Sequence, residues 1–426
     1  MNSPSRRITD AALAALGSAR FARAVTLCSV GMAFLAFALR STMGWPGLLG
    51  VLGTLVLLAA ASITVKRREL EWHGLLPISL LVFIGWSALS VLWSDYQWVT
   101  VGAVAYQVSF AFLGVYIALT RDLIQIVRAF GDVLRVILAA SLLLEILSGI
   151  ILDTPFAFLG ISGTLANGGP IQGLLGTRNQ LGLVALIAIV TFFVETQTRS
   201  ISRSMGLASI ALAGTMIVFS RSPVILGTVA IVALAALALI GLRRREPAAR
   251  RAWQFVLLGT SAMTLLILFA ARGRVIDLLN AGSEFEFRYS LWRDILEVST
   301  ARTLEGFGWV GYWRPDIPPF IGIDPFAAPH ETALNAFVDV LLQLGIVGLF
   351  SFLALVGLAF VRSWLLAAKK RSFVFVWPAL MLVALIIVSA AESSILVEFG
   401  WFTLVICALK ASQNLSWRER LPQPLG

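Results

Sequence analysis

Charge is what this chain has least of. Only 13% of its 426 residues are Asp, Glu, Lys or Arg, about half the share usual in soluble domains, which excludes an ordinary soluble fold of this length. Cysteine is almost missing: Cys28 and Cys407 both lie inside apolar runs, so a disulfide framework and a cysteine metal site are excluded. Histidine is equally scarce, with His73 in "ELEWHGLLP" and His330 in "FAAPHETALNAFVDVLLQLG". No two-histidine or DxD pattern offers a divalent-metal site, so no metal or other cofactor is expected. Internal repeats and low-complexity tracts are absent as well.

Apolar residues fill the space. They make up 58% of the sequence, the mean hydropathy is +0.88, and runs of about 20 recur, each able to cross roughly 30 Å of hydrocarbon. The expected fold class is an all-α polytopic membrane protein forming one integral membrane domain over residues 1–426. About twelve spans are expected, near 24–41, 45–64, 74–93, 98–120, 133–152, 179–196, 205–220, 222–242, 252–271, 331–361, 374–392 and 394–412. The first resembles a signal peptide behind Arg6, Arg7, Arg20 and Arg23. No small-residue cleavage site follows it, and a second span comes at once, so it reads as a retained helix. When Lys and Arg are sorted by alternate loops, 24 of the 33 fall on the side that holds both termini. The positive-inside rule puts that side in the cytoplasm. The net charge of +10 is then a matter of topology, and no nucleic-acid partner is needed.

Most external connections are tight turns, with two exceptions. Residues 153–178 are Gly-rich ("GISGTLANGGPIQGLLGTRN"), and residues 272–330 form by far the longest connection, a length usually reserved for function. Within it, "SEFEFRYSLWRDILEVS" reads as an amphipathic helix with a Ser283/Glu286 capping box. Phe285, Tyr289, Trp292 and Leu296 share one stripe, with Arg288, Asp294 and Glu297 off it. Such a helix would rest at the membrane surface, its apolar face in lipid or on the bundle.

Four residues stand out on the external side. Arg178 closes the Gly-rich loop and Arg221 occupies the short turn "FSRSPV". An arginine at a span boundary either snorkels to phosphate headgroups or has a partner or task that offsets its cost of about 2.5–3.5 kcal/mol. Arg288 is either a solvated helix position or a ligand. His330 follows Pro329, so it is expected in the first turn of its helix, where the positive helix end would keep the imidazole neutral and able to accept a proton. Glu331, Asn335, Asp339 and Gln343 follow at every fourth position, either as hydrogen bonds holding the bundle or as the wall of a wet groove. His73 lies on the cytoplasmic side and reads as an interface residue. A base beside several guanidinium groups suits attack by a hydroxyl on a sugar whose leaving group is a phosphate or diphosphate. The histidine would take the proton and the arginines would neutralise the departing charge.

The motifs "GLLGTRNQLG", "FSRSPVILG", "FRYSLWRDIL…GFGWVGY" and "PHETALNAFVDVLLQLGIVGL", in this order, resemble the O-antigen ligase and polymerase family, including exopolysaccharide-production polymerases. "SVLWSDYQWVTVGAVAY" at 90–106 is similar to that family's early external turn, and the resemblance covers roughly residues 75–360. It implies a twelve-span glycosyltransferase of the GT-C kind on the outer face of the cytoplasmic membrane. Such an enzyme moves a glycan from an undecaprenyl-diphosphate carrier to a lipid or glycan acceptor without a metal. Carried over by motif, Arg221 and Arg288 grip the diphosphate, His330 is the base or orients the acceptor, and Arg178 lines the same cavity. Asn179, Glu331, Asn335 and Trp292 are the further substrate-binding candidates. Two departures bear on the acceptor: Glu331 follows His330 where the family often has Asn, and Gln343 stands where Glu is common. The competing readings are a twelve-span secondary transporter or lipid-linked glycan flippase, and an assembly protein without chemistry. Transporters usually show related halves with charges near the midplane; here no halves are apparent and the polar groups crowd the external rim.

Overall fold

The computed structural model describes residues 13–68, 77–271, 273–274, 282–323 and 331–413. Among these there is no β-strand, and the helices in chain order are α1 (Ala19–Phe34), α2 (Ala36–Lys66), α3 (Ile78–Leu89), α4 (Gln97–Thr120), α5 (Leu123–Ile146), α6 (Arg178–Gln197), α7 (Arg203–Ser220), α8 (Pro223–Arg244), α9 (Pro247–Ala270), α10 (Gly282–Ser299), α11 (Ala336–Lys369), α12 (Val376–Ser389) and α13 (Glu398–Gln413). Seven helices are long and apolar enough to cross a membrane, and two shorter apolar ones, Ile78–Leu92 and Phe373–Ser389, accompany them. The chain is a helical, polytopic membrane protein.

Local chemistry sets the boundaries. Thr177, Ser202 and Ser222 cap α6, α7 and α8 by accepting from the backbone N–H three residues on, and Pro223 occupies the first turn of α8, where its missing N–H costs nothing. Burial sorts the helices into layers. α6, α12 and α13 are buried almost throughout, and the indoles of Trp377 and Trp401 are fully enclosed. α2, α8 and α9 carry exposed Leu, Val, Phe and Trp side chains, as lipid-facing helices do.

The two sets of loops separated by the charge count gather at opposite ends. At the Arg/Lys-rich end, Arg243 donates to the carbonyls of Lys370 (3.0 Å) and Arg371 (2.7 Å), and Arg128 to Ser200 O (2.6 Å). Such contacts satisfy carbonyls left open at helix ends. At the other end, Arg302 reaches Asp95 (3.0 Å), Arg40 pairs with Glu331 (3.3 Å) and Asn179 bonds Glu392 (2.6 Å).

The helix after residue 330 departs from expectation. It opens at Ala336, not at 331, because Leu334 is in the left-handed region (φ 50°) and Asn335 is the N-cap, accepting from Phe337 N (3.0 Å) and Val338 N (3.2 Å). The dipole argument for a neutral imidazole at 330 therefore fails, since that field fades within one turn. The four-residue stripe also divides. Glu331 precedes the helix and is exposed, while Asp339 and Gln343 are fully buried. Asp339 Oδ1 accepts from Trp313 Nε1 and Gln343 Nε2 (both 2.8 Å), and its Oδ2 from Ala333 N (3.2 Å). Gln343 Oε1 accepts from Val310 N (2.8 Å) and Gly311 N (3.0 Å). The stripe binds the segment after α10 to the flank of α11 and is structural. At Gly345 (φ 65°) α11 breaks, and a Cβ there would lie 2.2 Å from Leu304 O, so residues 303–308 occupy the gap that only glycine leaves. Asp339→Asn puts an N–H₂ against Ala333 N–H or against the Trp313 and Gln343 donors. The expected loss is about 1–3 kcal/mol of stability, read by thermal unfolding in detergent; an unchanged unfolding temperature contradicts this role.

Candidate functional site

α10 forms where the amphipathic pattern placed it. Arg288, Leu291 and Ile295 face the bundle, at 8%, 0% and 0% exposure, while Tyr289 and Leu296 are 62% and 49% exposed. Of the apolar stripe, Tyr289 and Leu296 therefore look outward while Trp292 is half-buried, and Arg288, off that stripe, faces the bundle. Charged groups in membrane bundles turn toward protein because lipid offers them no partner. Trp292 Nε1 donates to Ala333 O (2.9 Å), fixing the approach to α11.

Arg288 Nη2 lies 3.3 Å from Glu392 Oε1, in the connection between α12 and α13. The same oxygen accepts from Asn179 Nδ2 (2.6 Å), and Asn179 Oδ1 accepts from Ser222 Oγ (2.6 Å). Asn335 Nδ2 donates to Ala390 O (3.1 Å), two residues before Glu392. One hydrogen-bonded chain thus joins α10, the start of α6, the start of α8 and the lead-in to α11. Burial pushes the Glu392 carboxyl above the usual carboxylate range, and the Arg288 guanidinium and Asn179 amide oppose that rise.

Arg178 and Arg221 flank the chain as immediate neighbours of Asn179 and Ser222. Arg178 is half-buried and Arg221 exposed. The Gly-rich loop runs past Arg221: Ile171 N donates to Phe219 O (3.1 Å), and a methyl group on Gly168 would sit 3.2 Å from Arg221 Nη2. Glu145 anchors the loop from below, its Oε1 accepting from Gln172 N and Gly173 N (both 2.8 Å). One guanidinium, that of Arg288, pairs with the Glu392 carboxylate, and two more arginines adjoin its partners in sequence; guanidinium groups suit an anion with several oxygens.

The candidates divide as follows. Arg288 and Asn179 share a carboxylate, and Asn335 is tied to the same connection. Arg178 and Arg221 adjoin them. Trp292 and Asn335 hold backbone and act as positioning residues. Glu331 points elsewhere, to Arg40. His330 lies outside the described residues, as does His73; so do the side chains of Ser283 and Phe285. Sequence reading missed Glu392, although an acid in "SAAESSILVEFGW" between two apolar runs is itself a signal; the orientation count uses only cations.

Arg221 is left-handed, at φ 48°. Glycine takes that conformation without the penalty of about 1–2 kcal/mol that other residues meet, and strained residues concentrate at functional sites. Arg221→Gly is expected to leave thermal stability unchanged or raise it by up to about 1 kcal/mol, while cutting affinity for a polyprenyl diphosphate at least tenfold. Comparable loss of stability and of binding contradicts a ligand role. Comparison with models of known protein families and with curated proteins finds no match to this chain.

Proposed function

We propose that this protein is a membrane glycosyltransferase of the O-antigen ligase and polymerase kind, a twelve-span enzyme of GT-C type. It acts at the outer face of the cytoplasmic membrane, with both termini inside. Its donor is a glycan on undecaprenyl diphosphate, and its acceptor is a lipid or a second glycan. The observation that carries this reading is the chain from Arg288 through Glu392 and Asn179 to Ser222. It ties together three of the motifs that carry the family resemblance, and each of the three brings an arginine.

The acceptor hydroxyl gives its proton to His330 as its oxygen attacks the anomeric carbon. The bond from that carbon to the diphosphate oxygen breaks, and the carrier diphosphate departs with the electron pair. Arg221, Arg288 and Arg178 offset the charge on the departing group, and Glu392 fixes the Arg288 fork so that no reorganisation is needed at that moment. The test is purified protein in lipid nanodiscs, which have no compartments and so cannot report transport. With an undecaprenyl-diphosphate oligosaccharide, glycan transfer with release of free carrier diphosphate is expected. A ladder of chain lengths marks a polymerase and a single adduct on another lipid marks a ligase. An intact donor under all acceptors contradicts the proposal.

A further inference from the structure

A cavity of about 390 Å³ lies beside the Arg40–Glu331 pair, with Glu331 and Leu396 to Glu398 among its lining. One face of α4 lines it, at Val99, Gly102, Ala103, Tyr106, Gln107 and Phe110, the spacing of a single helix stripe. Tyr312, Trp313, Trp401 and Glu398 are also in the wall, as is Trp45, packed edge-on against Tyr106 at 5.8 Å. Arg40 lies over the rings of Trp45 (5.2 Å) and Tyr312 (4.8 Å) while pairing with Glu331. Tyr106 donates to Glu398 Oε1 (3.0 Å).

Three features point to a ligand. Gln107 is 3% exposed, yet neither its amide nitrogen nor its oxygen has a hydrogen-bond partner among the described residues; such a group costs stability unless something satisfies it. Glu398 is left-handed at φ 47°, a strain that clusters at binding sites. Two cations, Arg40 and Arg314, and two carboxylates, Glu331 and Glu398, line the cavity, and Arg40 is already paired with Glu331. The lining charges balance, so the cavity has no net charge to draw in an anion. Flat aromatic walls, a free amide donor and acceptor, and a carboxylate acceptor match a ring that has an apolar C–H face and an equatorial rim of hydroxyls.

We propose that this cavity is a saccharide subsite that takes one neutral pyranose ring against its aromatic lining, hydrogen-bonded by Gln107 and Glu398. Identifying that ring as part of the transferase's own substrate rests on the function proposed above. Within that reading it is a glycan ring remote from the carrier diphosphate, because the cavity has no excess of cations to hold a phosphate. Gln107 and Glu398 then select which sugars enter.

The experiment is saturation-transfer NMR of the full chain in nanodiscs. The probes are methyl glycosides of glucose, galactose, mannose and N-acetylglucosamine, with methyl glucuronoside as a charged probe and octanol as an apolar one. Saturable binding of at least one neutral glycoside is expected, with glucuronoside at least tenfold weaker. Gly102→Phe is the blocking variant, since Gly102 lines the cavity and a Cβ there meets nothing within 4 Å. It should abolish the signal. Gln107→Leu should weaken binding tenfold or more without lowering thermal stability, because the amide it removes bonds nothing. No saturable neutral glycoside, unchanged binding in Gly102→Phe, or octanol as the sole binder overturns the proposal. Glycoside binding without any transfer activity supports the subsite while overturning the transferase reading, so the two can fail separately.

Discussion

Arg288→Ala is expected to abolish glycan transfer and to destabilise the protein at once. Arg288 is the cation beside a carboxylate that is itself 9% exposed. Removing one partner of a buried pair strands the other, at a cost of about 3–5 kcal/mol, and losing a preorganised donor to developing charge costs roughly 100- to 1,000-fold in rate. The two effects separate in the double variant. Arg288→Ala with Glu392→Gln leaves no stranded charge, and the amide oxygen introduced by the second substitution can still accept from Asn179, so most of the stability should return while transfer stays absent. Arg288→Lys should fold but transfer poorly, because an ammonium cannot reproduce the two-pronged guanidinium geometry. Initial rates with a carrier-linked oligosaccharide, beside thermal unfolding of each variant, read both quantities. Recovery of transfer in the double variant contradicts the role of Arg288.

His330→Ala is expected to lower the transfer rate by about 100- to 10,000-fold, the usual worth of a positioned general base, with no loss of stability. The loss should fall on kcat. Affinity for the carrier should persist, because the proposed diphosphate contacts lie on Arg178, Arg221 and Arg288. The structure removes one support for this residue, since the helix begins at Ala336 and does not reach position 330 with its first turn. The role rests on the motif and on the neighbouring Glu331–Asn335 segment, which Trp292 and Asn335 pin beside Glu392. A loss confined to KM contradicts a base.

The apolar runs and the cation count made the bundle and its two ends legible, because span length and Arg/Lys placement obey rules that act locally. The orientation of α10 was not legible. Tyr289 and Leu296 turn outward, and Leu291 and Ile295 join Arg288 on the inner face. In a membrane both faces of a helix are apolar, so hydrophobicity cannot tell lipid from protein, whereas a charge can. Glu392 and Glu398 were overlooked because orientation is read from Lys and Arg alone. The break at Gly345 could not be foreseen, since it depends on residues 303–308, about 40 positions earlier, filling the gap. The arginines proposed to hold the diphosphate were legible because each sits in a short polar motif between apolar runs; the cavity beside α4 was missed because its polar groups are scattered singly through such runs.

The central claim is that guanidinium groups from three distant motifs form one cradle for a carrier diphosphate. Binding of undecaprenyl diphosphate to the purified protein, measured for the wild type and for Arg221→Gly in the same nanodiscs, tests it most directly. The account predicts saturable wild-type binding, at least tenfold weaker binding in Arg221→Gly at equal thermal stability, and lower wild-type affinity for the monophosphate. Equal affinity of the two proteins for the diphosphate would contradict it.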